Sequence, residues 1–333
     1  MALEAGTGET RWQHAYEAPL PKNPVFDFWN TSAGPGPYAS PLLADGRLFA
    51  LGVGGLLHVL DAKTGAMVWK KDLVAELRPP DFRATAASPI AYGENVILPV
   101  GGRGQGLVAF DGATGEVAWK SQDFQDAPAS PVLIDVGGQE QLVVFGREQV
   151  AGVNPGNGEL YWNHPHATQF GLNISTPVWG EDGILILSSA YDGGSRALRL
   201  TREGGETTVE ELWFNNRMRV HFGNMVRFGG LVIVTSGDFG PAFFTAVDAE
   251  TGEEAWRERS LARSHMVYAG GRLVIVDEDG EIALATPSET GLDIHARTQV
   301  LKENAWTPPT LVGSRLYLRD RQSVMALELG PVD

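Results

Sequence analysis

The feature that most constrains this chain is a ten-residue pattern repeated along its length. Residues 60–69 read LDAKTGAMVW, residues 110–119 FDGATGEVAW, residues 153–162 VNPGNGELYW and residues 247–256 VDAETGEEAW. Residues 203–213, EGGETTVEELW, are a lengthened copy, and residues 287–295, PSETGLDIH, keep the Thr-Gly and lose the Trp. Each copy closes a larger unit. A small-Ser-Pro start leads into an apolar run, as in residues 39–51, ASPLLADGRLFAL; a second run follows, as in residues 56–61, LLHVLD. Short apolar runs broken by Asp-Gly or Gly-Gly are hairpin strands. An Asp at the head of the turn bonds its own backbone, and Gly supplies the positive φ. One such unit cannot bury both faces of its sheet, so copies must stack on one another.

Inner strands begin near Ala39, Ala87, Ala129, Ser175, Phe222, Ser264 and Thr307, which gives seven units. The seventh stops at residues 325–328, where a turn and an outer strand should follow. Residues 3–12, LEAGTGETRW, match residues 60–69 position for position. The expectation is an all-β, seven-bladed propeller of four-stranded antiparallel blades, forming one domain over residues 1–333. Residues 1–16 complete the last blade, which leaves no long free edge. Trp12, Trp69, Trp119, Trp162, Trp213 and Trp256 are expected to pack between blades, the last five largely buried.

The repeated Leu-Asp-x-x-Thr-Gly-x-x-x-Trp signature resembles the PQQ-like propeller family over nearly the whole chain. That family includes quinoprotein dehydrogenases and BamB-like outer-membrane assembly lipoproteins, both with eight blades. The likeness is closest to single-domain bacterial members, most of which have no assigned function. It implies fold more strongly than activity.

The chain carries 26 Lys and Arg against 41 Asp and Glu, a net charge of −15. Nucleic-acid binding rests on neutralising phosphates, so this balance argues against such a partner, and against anionic lipid surfaces. A basic partner stays compatible with it. With no cysteine, disulfides, thiolate catalysis and Cys-ligated metals are excluded. No apolar run is long enough for a membrane helix, and no signal peptide opens the chain. The resemblance implies a periplasmic or secreted place, with a cytoplasmic one left open, and a monomer is expected.

Chemistry in a propeller usually gathers where loops joining successive blades meet one mouth of the channel. Four of those loops are rich. Residues 23–38 bring Asp27, Trp29, Asn30 and Tyr38 in a long loop; residues 78–85 bring Asp81 and Arg83. Residues 164–173 bring His164 and His166, and residues 215–224 bring Arg217, Arg219 and His221. Shorter loops add Arg263, His265, Lys302, Glu303, Asn304 and Trp306. Aligned repeat on repeat, the position of Tyr38 is held by Ala86, Pro128, Ile174, His221, Arg263 and Trp306. Two residues on, Ser40 corresponds to Ser88, Ser130, Thr176, Gly223, His265 and Pro308. The polar and aromatic departures mark Asp27, Tyr38, Arg219, Arg263 and Trp306 as ligand-binding candidates. His221 and His265 are the catalytic candidates if the protein is an enzyme. The two arginines suggest an anionic group on the ligand.

His164 and His166 have strand spacing, and a metal there would need a third ligand such as His221 or an acid. His14, His58 and His295 are expected to be structural. No cofactor is expected; PQQ or a divalent metal is the alternative. A quinoprotein site would need, by the resemblance, an acid-and-amide calcium set and commonly a cysteine pair, and the chain has no cysteine. The expected function is a ligand- or protein-binding propeller of the bacterial envelope, taking a small anionic molecule or a peptide. The alternative is an enzyme in the same pocket: a hydrolase with a His base, or a divergent quinone-dependent dehydrogenase.

Overall fold

The Asp-x-x-Thr-Gly segments fold into the tight turns that their chemistry dictates. The carboxylate of Asp61 accepts the backbone N–H groups of Lys63 and Thr64 and the Thr64 hydroxyl, at 3.1, 2.8 and 2.8 Å. Asp111 and Asp248 repeat this on Thr114 and Thr251. Gly65, Gly115 and Gly252 follow at φ of 71°, 76° and 72°, a conformation that a Cβ disfavours.

The structure is a computed structural model. It describes residues 1–330 apart from Pro19, Phe239 and Glu303, and leaves out the side chains of Trp29, Thr31, Ser32 and Ala33. Seven antiparallel sheets follow one another in the chain, and the fold is an all-β, seven-bladed propeller. Six sheets have four strands in chain order, spanning residues 42–72, 90–121, 132–165, 178–215, 226–258 and 264–299; the seventh, residues 310–328, pairs three. The chain divides into two compact units, residues 1–167 with blades 1–3 and residues 168–333 with blades 4–7.

In the first unit, apolar side chains from neighbouring blades share their cores. Phe49, Leu57 and Val59 of blade 1 pack with Val96, Leu98 and Phe110 of blade 2. Ile97 and Leu107 pack in turn with Leu142 and Val144 of blade 3. Fully burying side chains of this size stabilises by about 1.5–3 kcal/mol each before entropy is counted. The serines of the small-Ser-Pro starts link the blades. The Ser88 hydroxyl accepts the N–H of Ser40, and the Ser130 hydroxyl that of Ser88, each at 3.0 Å. Residues 23–38, expected as a loop, instead begin with helix α1 (Pro24–Ala33). Asn23 caps it through Phe26 N–H and its amide also donates to Arg83 O at 2.8 Å, while Pro24 takes the first turn. A second, short helix, α2 (Leu73–Leu77), leaves blade 1.

In the second unit the same logic joins blade 4 to 5, 5 to 6 and 6 to 7 through three clusters. An amide clamp replaces the serines between blades 5 and 6: Asn224 donates to Met266 O at 2.8 Å and accepts Met266 N–H at 2.7 Å. Gly223 departs from the serine pattern because a Cβ there would stand 2.6 Å from Ser264 O.

The tryptophans dock on the next blade's turn, but less deeply than expected. Trp69 donates to Gly112 O at 3.1 Å with its ring over Gly115; Trp213 donates to Ala249 O at 3.0 Å over Gly252. Trp256 donates to Ser288 O at 3.0 Å. Trp69, Trp119 and Trp213 are half-buried rather than largely buried, because the outer strand that carries each has one open face. Trp162 departs from the scheme. It is buried against Gly152 and donates to Gln141 Oε1 at 2.7 Å, both in its own blade. The strand Thr10–Trp12 takes Ala2–Leu3 as its ladder partner, so completion of the last blade by residues 1–16 stands as a proposal. Trp12 nonetheless docks as an outer-strand tryptophan does, donating to Ala62 O at 3.1 Å with its ring over Gly65.

Candidate functional site

Three inter-blade loops of the second unit converge. After the outer strand of blade 4, Asn215 Oδ1 accepts Arg217 and Met218 N–H and turns the chain. Met218 and Val220 then bury their side chains, and the loop is pinned to blade 4 by serines: Ser195 donates to Met218 O at 2.7 Å, and Val220 N–H to Ser188 Oγ at 2.9 Å. Alternate residues, Arg219 and His221, therefore lie on the other side of the backbone. The loop of Arg263 is sewn to the loop of Trp306 through Glu278, whose N–H donates to Arg263 O at 2.8 Å and whose carbonyl accepts Ala305 N–H at 3.1 Å.

The side chains assemble around Phe222. Its ring centroid lies 4.8 Å from Trp306, 5.2 Å from His221 and 6.1 Å from His265, and the Arg263 guanidinium sits 5.9 Å from its centre. Arg219 pairs with Asp192 at 2.9 Å and Asp238 at 3.1 Å. Arg263 pairs with Glu278 at 2.9 Å and donates to Asp238 O at 2.8 Å. Trp306 Nε1 donates to Glu278 Oε2 at 3.3 Å. Two guanidinium groups thus face three carboxylates. The arginines already have their counter-ions, and the group as a whole leans negative.

The histidines are held neutral. Burial pushes His221 down to about 4, helped by the Arg263 charge, and its Nε2 lies 2.6 Å from the Tyr191 hydroxyl. Burial also pushes His265 down to about 4, partly offset by its bond to Trp306 O at 3.1 Å. A carbonyl only accepts, so His265 Nε2 carries the proton and Nδ1 is left as a buried acceptor without a partner. The Tyr191 hydroxyl is raised by burial, with the Asp238 charge adding.

The structure brings together Arg219, His221, Arg263, His265 and Trp306. Asp27 and Tyr38 belong to the first unit, Asp27 on the exposed side of α1 and Tyr38 donating to Gly34 O at 2.7 Å. The Trp29 side chain and Glu303 lie outside the described residues. In the first unit Asp81 is also organised. Arg147 pairs with Asp81 at 2.5 Å and Asp126 at 3.5 Å, and Arg83 pairs with Asp81 at 3.2 Å. His164 Nδ1 lies 3.0 Å from Pro165 O, and His166 is buried edge-on to Phe145. Among the described residues, no group of three or more His, Asp or Glu side chains is arranged to hold a metal ion. His58, expected to be structural, packs on Tyr16 at 3.9 Å and lies 3.0 Å from His14.

Sequence reasoning missed Tyr191, Asp192, Phe222, Asp238 and Glu278. Tyr191 and Asp192 sit at φ of 53° and 64°, an uncommon pair of left-handed residues without glycine. They lie in within-blade turns, and the repeat alignment watched only the loops between blades.

Comparison with known proteins agrees with the fold. The class is that of PQQ-like β-propellers. The profile described as outer membrane protein assembly factor BamB matches residues 1–243 and 205–329, and the chain belongs to that family. It is 23% identical to outer membrane protein assembly factor BamB of Yersinia pestis over 335 residues, 92% of this chain and 80% of that protein. It is 32% identical to quinoprotein alcohol dehydrogenase PedH of Pseudomonas putida over 267 residues, 74% of this chain but only 38% of that enzyme. Among solved structures, BamB from Moraxella catarrhalis superposes with a TM-score of 0.65 at 18% identity, covering 88% of this chain and 83% of that one.

The dehydrogenase likeness raises the question of a quinone. PQQ is a tricarboxylate and needs unspent cations and a metal held by oxygen donors. Here Arg219 and Arg263 are paired with carboxylates, and the described residues offer no acidic cluster fit for a metal. The second unit's loop cluster does not fit that group.

Proposed function

We propose that this chain is a protein-binding propeller of the bacterial envelope that engages its partner with the blade 4–7 loops. The observation that carries this reading is the Phe222–Trp306 pair, 4.8 Å apart and half-buried, rimmed by two arginines already held in place by carboxylates. Protein interfaces concentrate their energy in such aromatic and Arg anchors, and pre-set side chains lose little entropy on binding. Membership of the family described as outer membrane protein assembly factor BamB supports both the binding role and a periplasmic site facing the outer membrane.

Photocrosslinking tests this. A benzophenone amino acid at Arg217 or Phe222, introduced in the living source bacterium, is expected to trap one discrete outer-membrane or periplasmic protein, identified by mass spectrometry. The same label at Val117, on the outer strand of blade 2, is expected to trap none. Equal trapping from both positions, or none from the loops, contradicts the reading. So does quinone-dependent alcohol oxidation by the purified protein.

A further inference from the structure

We infer that the Phe222 cluster of the second unit takes a basic side chain, lysine or arginine, from its protein partner. The inference rests on the protein-binding reading above and adds the chemistry of what is bound. It stands on unspent hydrogen-bond capacity and on charge.

Buried polar atoms in folded proteins nearly always have partners, so each exception asks for a reason. Among the described residues around Phe222, His265 Nδ1 and Asp238 Oδ1 are buried acceptors without a partner. His265 is 5% exposed, and its bond to Trp306 O fixes which nitrogen is left with a lone pair. Asp238 commits Oδ2 to Arg219 and its backbone carbonyl to Arg263, while Oδ1 stays unused. Among the described residues, Arg263 Nε is an unspent donor as well, but it belongs to a guanidinium already bound to Glu278 and two carbonyls. An N–H group can fill either acceptor; a carboxylate or phosphate oxygen, which only accepts, can fill neither.

Charge points the same way. Asp192, Asp238 and Glu278 outnumber Arg219 and Arg263, both histidines are neutral, and the chain as a whole is at −15. An incoming carboxylate or phosphate would meet a carboxylate excess, with Arg219 and Arg263 already paired. An ammonium or guanidinium meets that excess together with the faces of Phe222 and Trp306, which attract cations through their ring quadrupoles. Arg263 already lies 5.9 Å from the Phe222 centroid.

The test uses the full chain and single-residue probes. Two-dimensional NMR of isotope-labelled protein is followed during titration with N-acetyl-arginine amide, N-acetyl-lysine amide and N-acetyl-glutamate amide. The basic probes are expected to shift the backbone signals of Phe222, Arg263 and His265 saturably, with a Kd on the order of 1 mM and weaker at high salt. The acidic probe is expected to leave them unmoved. Asp238→Asn is expected to weaken the basic probes about tenfold. Glu278→Gln serves the same purpose should the first variant unfold. The proposal is overturned if the glutamate probe shifts the same signals as tightly, or if neither basic probe shifts them at tens of millimolar, well above that Kd. A partner trapped by crosslinking together with silent basic probes would remove this inference and leave the protein-binding reading standing; no trapped partner would remove that reading first.

Discussion

At the scale of single residues, the tryptophans show how one motif yields different energetics. Trp69 has an acceptor in Gly112 O, whereas Trp119 Nε1 is buried with none. Trp69→Phe is therefore expected to lose about 1 kcal/mol in urea denaturation, and Trp119→Phe close to none. Equal losses would mean that the indole N–H groups are not what distinguishes the two sites. His265 gives a pH prediction. Its folded value, about 4, lies below the ordinary 6.5, so the unfolded chain takes up the proton first as pH falls. The stability it contributes is complete above pH 6.5 and is lost between 6.5 and 4, roughly 3 kcal/mol in all. His265→Gln keeps a donor toward Trp306 O and is expected to lessen the fall of the melting temperature across that window, the share of His221 remaining. An unchanged acid slope would contradict the burial argument. The histidine and arginine departures were legible in the repeat alignment. Their counter-ions were not, since Asp192, Asp238 and Glu278 reach them from within-blade turns that no inter-blade register marks.

At the scale of elements, the Asp-x-x-Thr-Gly turns and small-Ser-Pro starts carried almost all of the strand order, because each uses a local hydrogen bond that sequence spacing reveals. Helix α1 escaped for the opposite reason. Its Asn-Pro start is a helix signal, but the place of residues 23–38 between repeats reads as a loop. Asn23→Ala removes the cap and the bond to Arg83 O, and is expected to cost about 1–2 kcal/mol by chemical denaturation. No measurable loss would show that the helix is held by packing of Phe26 alone. The first unit's Arg147 staple ties the loops before blades 2 and 3 together through Asp81 and Asp126. Burial raises Asp126 to about 6, with the Arg147 charge opposing. Its folded value lies above the unfolded one, so the folded state holds the extra proton between pH 4 and 6 and loses stability as pH rises through that range. Asp126→Asn is expected to remove this decline and to raise stability at pH 8 by about 1–2 kcal/mol. A less stable variant at pH 8 would mean that the Arg147 pairing outweighs the burial.

At the scale of the molecule, seven similar sheets make a scaffold whose individuality lies in its loops, as expected when fold and function are separable. The N-terminal strand bears on the scaffold directly. Trp12 sits on Ala62 O and Gly65 as Trp69 sits on Gly112 O and Gly115, so residues 10–12 dock on blade 1 in the manner of an outer strand. Deleting residues 1–16 is expected to lower the melting temperature and promote aggregation, as fits the proposed completion of the last blade. A truncated chain that melts like the full one would remove that proposal. The central claim is that the second unit's loops bind a protein through Phe222 and Trp306. It is tested most directly by measuring the affinity of the crosslinked partner for the wild type and for Phe222→Ala/Trp306→Ala, with Trp69→Phe as a control for stability. The account predicts at least about a 30-fold weakening in the double variant, with a melting temperature within a few degrees of the control. An affinity equal to that of the wild type would contradict it.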